Sequence, residues 1–372
     1  MENIFIETIS EDEFTNMKEE WNSLLEKSIT NEVFLLWEWI YAWWDVFKDG
    51  RRELYILCGK NCKGEIIGIA PFYIEKRILL GSCTRNIIRF CSSVETYPDH
   101  LDVISKKEYE DSFPEALLKY LIQNDKDWDI IILDGVKENA TIKRYLACNK
   151  GKLYDLLISC VPMSKCPYLI IDKTFEDYLK TFSGKKRYTL LKKIKILMKE
   201  ENVTFKRVDC TEEPEKYINE LFSLHSVRAK RKRIKTSFCG ENIYKFHMNF
   251  INYLLKDDKI IIAFLYKESI PLVSYYCIKH NNKYYYYQTG LSYEGEKRSG
   301  GTVLFSLIIE SAFREQYNEF DFLRGNEHYK YFWTKHYRRD YSMIIKKKNF
   351  TNRVGYYLSS IYYRAKGTSS EL

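Results

Sequence analysis

Lys297-Arg298-Ser299-Gly300-Gly301-Thr302 runs directly into the apolar stretch Val303-Leu304-Phe305. Two adjacent glycines let the backbone approach a ligand closely. The helix that the apolar run predicts would then offer unpaired N–H groups and the positive end of its dipole to a phosphate. Neither GxxxxGK[ST] nor GxGxxG is present, so this is not one of the two common nucleotide loops. Side chains able to move protons stand elsewhere. Asp321 lies between Phe320 and Phe322 and so faces the opposite side of a strand. His225 and Arg228 are one helical turn apart and share a face. Tyr329 and Lys330 follow a strand end and Gly325, on a loop where function commonly sits. In the first half, Tyr97, Asp99, His100 and Asp102 make a polar cluster able to face a polar ligand. Each has a structural alternative: Asp321 pinning the Arg324 loop, His225 satisfied in a core, Tyr329 and Lys330 packing the next helix, and the first-half cluster forming a solvated loop.

Elements must bring these groups together. The apolar spacing predicts helices over 11–27 and 33–47, a hairpin from Glu53 to Ile74, and strands near 87–91 and 101–104. A helix over 112–121 and a buried strand over 128–135 follow. A second pass predicts strand 168–171, helix 174–182, basic helix 185–200, strand 203–208 and helices 214–230 and 241–255. It ends with hairpin 259–279, strand 283–288, a polar loop holding the glycines, helix 302–314, strand 319–323 and helix 327–335. The two passes share one order, which implies a duplicated domain. The expected divisions are 1–165, 166–348 and a C-terminal helix and tail over 349–372, where Val354–Tyr363 has an amphipathic pattern. The first half has no glycine from Ser105 to Asp111, where the second has its turn, so phosphate binding is expected only in the second.

Composition narrows the class. Hydrophobic residues at 45% and charged residues at 30% over 372 positions exclude a disordered chain and suit two packed domains. The start lacks the basic-then-apolar pattern of a secretory leader, and no apolar run approaches the ~20 residues that span a bilayer. The ten cysteines are scattered, without CxxC or zinc spacing. These features point to a cytoplasmic protein with reduced thiols and no metal. The net charge of +8 is concentrated between Lys185 and Lys199 and between Arg228 and Lys235, both free of acids. A polyanionic partner is implied: a phosphorylated cofactor, a nucleotide-linked substrate or RNA.

The order hairpin, tyrosine-rich strand, glycine turn, helix, strand resembles the core of Gcn5-related N-acetyltransferases (GNAT), whose turn reads Q/R-x-x-G-x-G/A. Lys297-x-x-Gly300-x-Thr302 is a degenerate version. Trp39-x3-Trp43-Trp44, Gly68-Ile69-Ala70-Pro71, Leu224-His225-x-x-Arg228, Tyr286-Tyr287-Gln288-x-Gly290 and Asp321-Phe322-Leu323-Arg324-Gly325-x-Glu327-x-Tyr329-Lys330 are similar to the cellulose-biosynthesis-type (CelD/BcsL-like) branch, related in layout to FemAB-like tandem proteins. The resemblance implies an α+β (mixed α/β) fold of two tandem GNAT-like domains, each a mostly antiparallel mixed sheet flanked by helices. It implies acyl transfer from acetyl-CoA or another acyl-CoA to an amine or hydroxyl of a small or glycan-linked acceptor. Gln288, Gly290, Lys297, Arg298, Ser299, Gly300, Gly301 and Thr302 would hold the cofactor. Asp321 or His225 would act as base and a tyrosine as acid, with Tyr329 a further catalytic candidate and Arg228, Arg324, Lys330, Tyr97, Asp99 and Asp102 toward the acceptor. A FemAB-like aminoacyl-tRNA-dependent ligase and an acyl-carrier-protein-dependent enzyme are the alternatives; no DNA partner is expected, and the chain would be a monomer or homodimer.

Overall fold

Each strand-turn-strand pattern of the sequence becomes the centre of a sheet. The computed structural model describes residues 3–78, 84–149, 153, 155–208, 214–233, 235–254 and 257–348. In chain order the elements are β1 (Phe5–Thr8), α1 (Glu11–Asn16), α2 (Lys18–Glu26), α3 (Trp37–Phe47), β2 (Arg52–Lys60), β3 (Ile66–Ile78), β4 (Thr84–Phe90), β5 (Ile104–Ser105), α4 (Ser112–Gln123), β6 (Ile130–Lys137), α5 (Thr141–Cys148) and β7 (Leu156–Ile170). There follow α6 (Phe175–Lys180), α7 (Gly184–Lys195), β8 (Val203–Arg207), α8 (Pro214–Lys232), α9 (Glu241–Leu254), β9 (Ile260–Lys267), β10 (Ile270–His280), β11 (Lys283–Leu291), α10 (Tyr293–Lys297), α11 (Gly300–Arg314), β12 (Glu319–Asp321), α12 (His328–Tyr331) and β13 (Tyr337–Lys347). Residues 354–363, expected as an amphipathic helix, and the rest of the expected tail 349–372 lie outside the described residues.

The chain divides into two compact units, one running to Ser164 and resuming at Arg339, the other from Lys165 to Arg338. The first has strand order β1-β2-β3-β4-β6-β13, antiparallel throughout except for the parallel pair β4–β6, with β5 on β3. The second has order β8-β9-β10-β11-β12-β7, antiparallel except for the parallel pair β11–β12. The single parallel step falls at the same place in both, so the duplication expected from the sequence is present in the backbone. The sixth strand is where simple succession fails. β13, from the end of the chain, pairs with β6 of the first unit, whereas the expected boundary kept everything up to 348 in the second half. In the second unit that place is taken by β7, which precedes the unit's other strands in sequence.

Two faces of the second sheet matter below. Tyr284 and Tyr286 of β11, with Phe320 and Phe322, pack in one core with Phe305 and Ile309 of α11. On the other face Tyr276 and Tyr287 meet Phe238 and the α9 residue His247. In the first unit the Trp-rich stripe of α3 is interior, Trp39 and Trp43 fully so, as expected for a core stripe. Among the described residues Cys58, Cys91, Cys166 and Cys277 are buried thiols, while Cys62, Cys148, Cys160 and Cys239 are exposed thiols. Among the described residues no helix is long and apolar enough to cross a membrane.

Candidate active site

The stretch read as a polar loop is a short helix followed by a sharp bend. Ser292 accepts the Gly295 N–H at 2.9 Å and starts α10. Ser299 then adopts a left-handed conformation, φ 59°, which a non-glycine residue holds only under local constraint. The N–H groups of Thr302 and Val303 return to the Ser299 carbonyl at 3.0 and 3.2 Å. Those of Gly300 and Gly301 have no partner among the described residues, so the head of α11 carries two open donors and about half a positive charge from the helix dipole. The two glycines differ. A Cβ on Gly300 would stand 2.8 Å from Val273 Cγ2 and 3.0 Å from the Gly295 carbonyl oxygen, so this glycine seats the helix on β10. A Cβ on Gly301 would meet nothing closer than the Tyr275 hydroxyl at 3.9 Å. Gly301 is the position open to a ligand.

Phenols surround that bend. Tyr275 donates its hydroxyl to the Gly301 carbonyl at 2.8 Å. Tyr275, Tyr286 and Tyr329 all pack against the Phe305 ring, at centroid separations of 4.5, 4.6 and 5.5 Å. The Tyr286 and Tyr329 side chains are hydrogen-bonded to each other. Burial pushes the Tyr329 phenol above its ordinary value, though Lys330 and Arg228 pull the other way, so it stays protonated at neutral pH. Arg228, at the end of α8, lies within electrostatic reach of all three phenols. Its Nε is shielded from solvent and has no hydrogen-bond partner.

Beside this cluster the sheet opens. β11 pairs with β12 only over Lys283–Tyr285, opposite Glu319–Asp321, then runs on to Leu291. A bulge at Tyr287 shifts the register with β10 between Tyr276 and Cys277. The first unit closes its equivalent gap. There β4 and β6 pair over Ile87–Arg89 and Ile130–Ile132, and the next edge of β6 is taken by Leu101, whose N–H reaches the Gly135 carbonyl at 2.7 Å and whose carbonyl accepts from Lys137 N–H at 3.0 Å.

Several expected site residues have other work. His225 touches the Thr289 carbonyl through Nδ1 and the Thr236 hydroxyl through Nε2, both at 2.9 Å. A carbonyl can only accept, so Nδ1 carries the proton and Nε2 accepts from Thr236. Burial lowers its pKa, and its ring ties α8 to β11 at Thr289 and to Thr236. Asp321 is fully buried and accepts from Leu323 N–H at 2.8 Å. Its other oxygen lies 3.8 Å from Arg338 Nη1, on the sheet face away from Phe320, Phe322 and hence Tyr329. Asp321 and Tyr329 are therefore not brought together. Lys330 spends its ammonium on the Leu323 and Arg324 carbonyls and on Glu327, the last at 3.1 Å, and so clamps the loop after β12 instead of meeting an acceptor. Arg324 is half-buried on that loop.

The residues expected around the cofactor also have contacts within the fold. Gln288 hydrogen-bonds His225 and the Thr289 N–H, so it serves the strand. A Cβ on Gly290 would stand 2.4 Å from Leu224 Cβ, so this glycine admits α8. Arg298 is paired with Glu201 and Glu294, and Arg231 and Lys232 with Glu296. Lys297 has no carboxylate partner among the described residues and rests over the Tyr293 ring at 5.7 Å. In the first unit Asp102 is fully buried and accepts from Thr30 and from the Val103, Thr141 and Ile142 N–H groups, capping α5 in place of a substrate contact. Asp99 is buried too, and Tyr97 is exposed with φ 47°. Tyr275 and Tyr286 were missed from the sequence because a run of tyrosines reads first as sheet core.

Residues 184–331, within the second unit, match the family described as "Acetyltransferase (GNAT) domain". No curated protein matches the chain. Among solved structures it is similar to FemX, at 12% identity and TM-score 0.61, over 97% of this chain and 99% of that one. It is similar to the C-terminal domain (DUF2156) of a putative lysylphosphatidylglycerol synthetase from Agrobacterium fabrum, at 11% identity and TM-score 0.54, over 94% and 95%. L-PGS from Bacillus licheniformis aligns at 13% identity and TM-score 0.54, over 95% and 97%. At these identities the likeness is one of fold.

Proposed function

We propose that the second unit transfers an acyl group from acetyl-CoA or another acyl-CoA to an amine or hydroxyl of a small or glycan-linked acceptor, the chemistry implied by the resemblance to the CelD/BcsL-like branch. One observation carries this reading: two unpartnered N–H groups and an unobstructed Gly301 at the head of α11, beside a parted pair of strands. The residues fit a diphosphate there, with Lys297 as the uncommitted nearby cation; Arg298 does not fit, being held by two carboxylates. Backbone donors placed where oxyanion charge develops contribute ~3 kcal/mol each in acyl transfer, and the free edge of β11 beyond Tyr285 supplies such donors.

In this reading the acceptor nitrogen or oxygen forms its bond to the thioester carbonyl carbon as the carbon–sulfur bond breaks. The acceptor's proton leaves to solvent. Tyr329 donates to the departing sulfur and is reprotonated by water, so the thiol and the acylated product balance the step. Arg324 and Arg228 contact the acceptor. The reading needs no buried base: with His225 and Asp321 committed elsewhere, an amine must arrive unprotonated.

A second reading, an aminoacyl-tRNA donor, is favoured by α7. Lys185, Lys192 and Lys195 are exposed on it together with Tyr188, which is 67% exposed. Titration of acetyl-CoA with thermal unfolding as readout separates the two. Saturation to a hundredfold over Kd should raise stability by about 2.7 kcal/mol. No shift at millimolar thioester, with salt-sensitive binding of tRNA instead, would transfer the assignment to the second reading.

A further inference from the structure

Arg228 and Lys297 are the cations near the α11 bend that have no carboxylate partner among the described residues, and Arg228 is the one of the two with a buried nitrogen. Arg231, Lys232 and Arg298 each have a carboxylate. Arg228 has no ion pair or hydrogen bond among the described residues, and its Nε is closed off from water. Arg228 as a whole is half-buried, and a buried N–H left without an acceptor is costly unless something fills it. Its surroundings are hydroxyls and not acids: Tyr275, Tyr286 and Tyr329 are within its electrostatic reach, and Tyr275 already spends its proton on the Gly301 carbonyl. The carboxylate that does lie within reach, Glu296, is bound by Arg231 and Lys232. His225, one turn earlier, is turned to the Thr289 carbonyl and the Thr236 hydroxyl and supplies no anion.

We infer that Arg228 is a subsite for the carboxylate of the acceptor, so that the acceptor belongs to the amino-acid or other carboxylate-bearing amine class. The inference rests on the acyl-transfer reading above and narrows its substrate. The planar fork of arginine suits a carboxylate through two parallel N–H···O bonds. The Tyr286–Tyr329 pair can add a hydroxyl to the same oxyanion. The head of α11 has its own two donors for the donor's diphosphate, which leaves Arg228, beside Tyr329, for the second substrate.

The test measures binding before turnover. Amino acids and their carboxamides, for example β-alanine and β-alaninamide within a wider panel, are titrated against the wild type, Arg228→Gln and Arg228→Lys, with inorganic phosphate as a third probe. Acids should bind the wild type and amides should not. Loss of a charge-assisted pair of about 2 kcal/mol makes binding of acids roughly 30-fold weaker in Arg228→Gln, with partial recovery in Arg228→Lys and acetyl-CoA affinity changed less than about threefold. Because Arg228 has no partner to lose, both variants should fold with unchanged melting. Equal binding of acids and amides, no binding of any acid, or acid binding that survives Arg228→Gln overturns the inference. Phosphate bound more tightly than carboxylate through Arg228 also overturns it, assigning the residue to the donor. Absence of acetyl-CoA binding, by contrast, defeats the acyl-CoA reading and leaves the carboxylate result to stand or fall on its own titration.

Discussion

Tyr329 owes its candidacy to its neighbours. It packs on Phe305, shares a hydrogen bond with Tyr286 and is held protonated by burial against the pull of Lys330 and Arg228. Tyr329→Phe keeps the ring and removes only the hydroxyl, so kcat should fall about 10²-fold, as for loss of a general acid, with acetyl-CoA KM little changed. Steady-state kinetics check this, and an undiminished kcat would remove Tyr329 from the chemistry. The histidines make a separate prediction. Burial pushes His247 down to about 3 and lowers His225 as well. Both are neutral in the fold and charge on unfolding, so their contribution is complete above the ordinary value of about 6.5 and is lost as pH falls below it. His247 should cost about 1.4 kcal/mol per pH unit between that point and its own folded value of about 3. His247→Phe, inside a ring of Phe222, Phe238, Phe246, Tyr276 and Tyr287, should flatten the decline in urea unfolding free energy between pH 6.5 and 5. Parallel declines in variant and wild type would refute this account of His247.

At the scale of the element, the bend before α11 joins two requirements in adjacent residues. Gly300 is small because a Cβ would press on Val273 and the Gly295 carbonyl; Gly301 faces open space. Gly301→Val should therefore fold normally and bind acetyl-CoA at least about tenfold more weakly, while Gly300→Val should lower the melting temperature, with overpacking costs of ~1–3 kcal/mol. Calorimetry on both variants reads the difference. If Gly301→Val binds as the wild type does, the bend does not hold the cofactor. The tight turn and the helix that follows it were legible in the glycines and the apolar run after them. The commitment of Arg298 to Glu201 was not, because Glu201 lies on a distant stretch of chain brought there by folding.

Across the whole molecule, duplication has produced two sheets of one order and unequal gaps. Leu101 fills the first with backbone hydrogen bonds to Gly135 and Lys137. On the proposed acyl-CoA reading one site per chain is expected, and titration calorimetry or native mass spectrometry should return a stoichiometry of one; a value of two would show that the Leu101 segment yields to ligand.

Local pattern determined much of this protein. The hairpins, the Trp-rich core helix, the repeat and the long helix after the glycines are written in apolar periodicity and turn residues, which act between neighbours in sequence. So, for Tyr329 and Arg228, was membership of the candidate set. What only the tertiary structure decided was the use of each polar group. β13 looked like nothing in particular because a strand is specified by its partner, here β6. His225, Asp321, Lys330 and Asp102 have the residue types of catalysis or recognition, and each meets partners within the fold that its sequence neighbours do not show. A side chain's chemistry depends on which donors and acceptors remain unspent, and that is settled when distant segments pack.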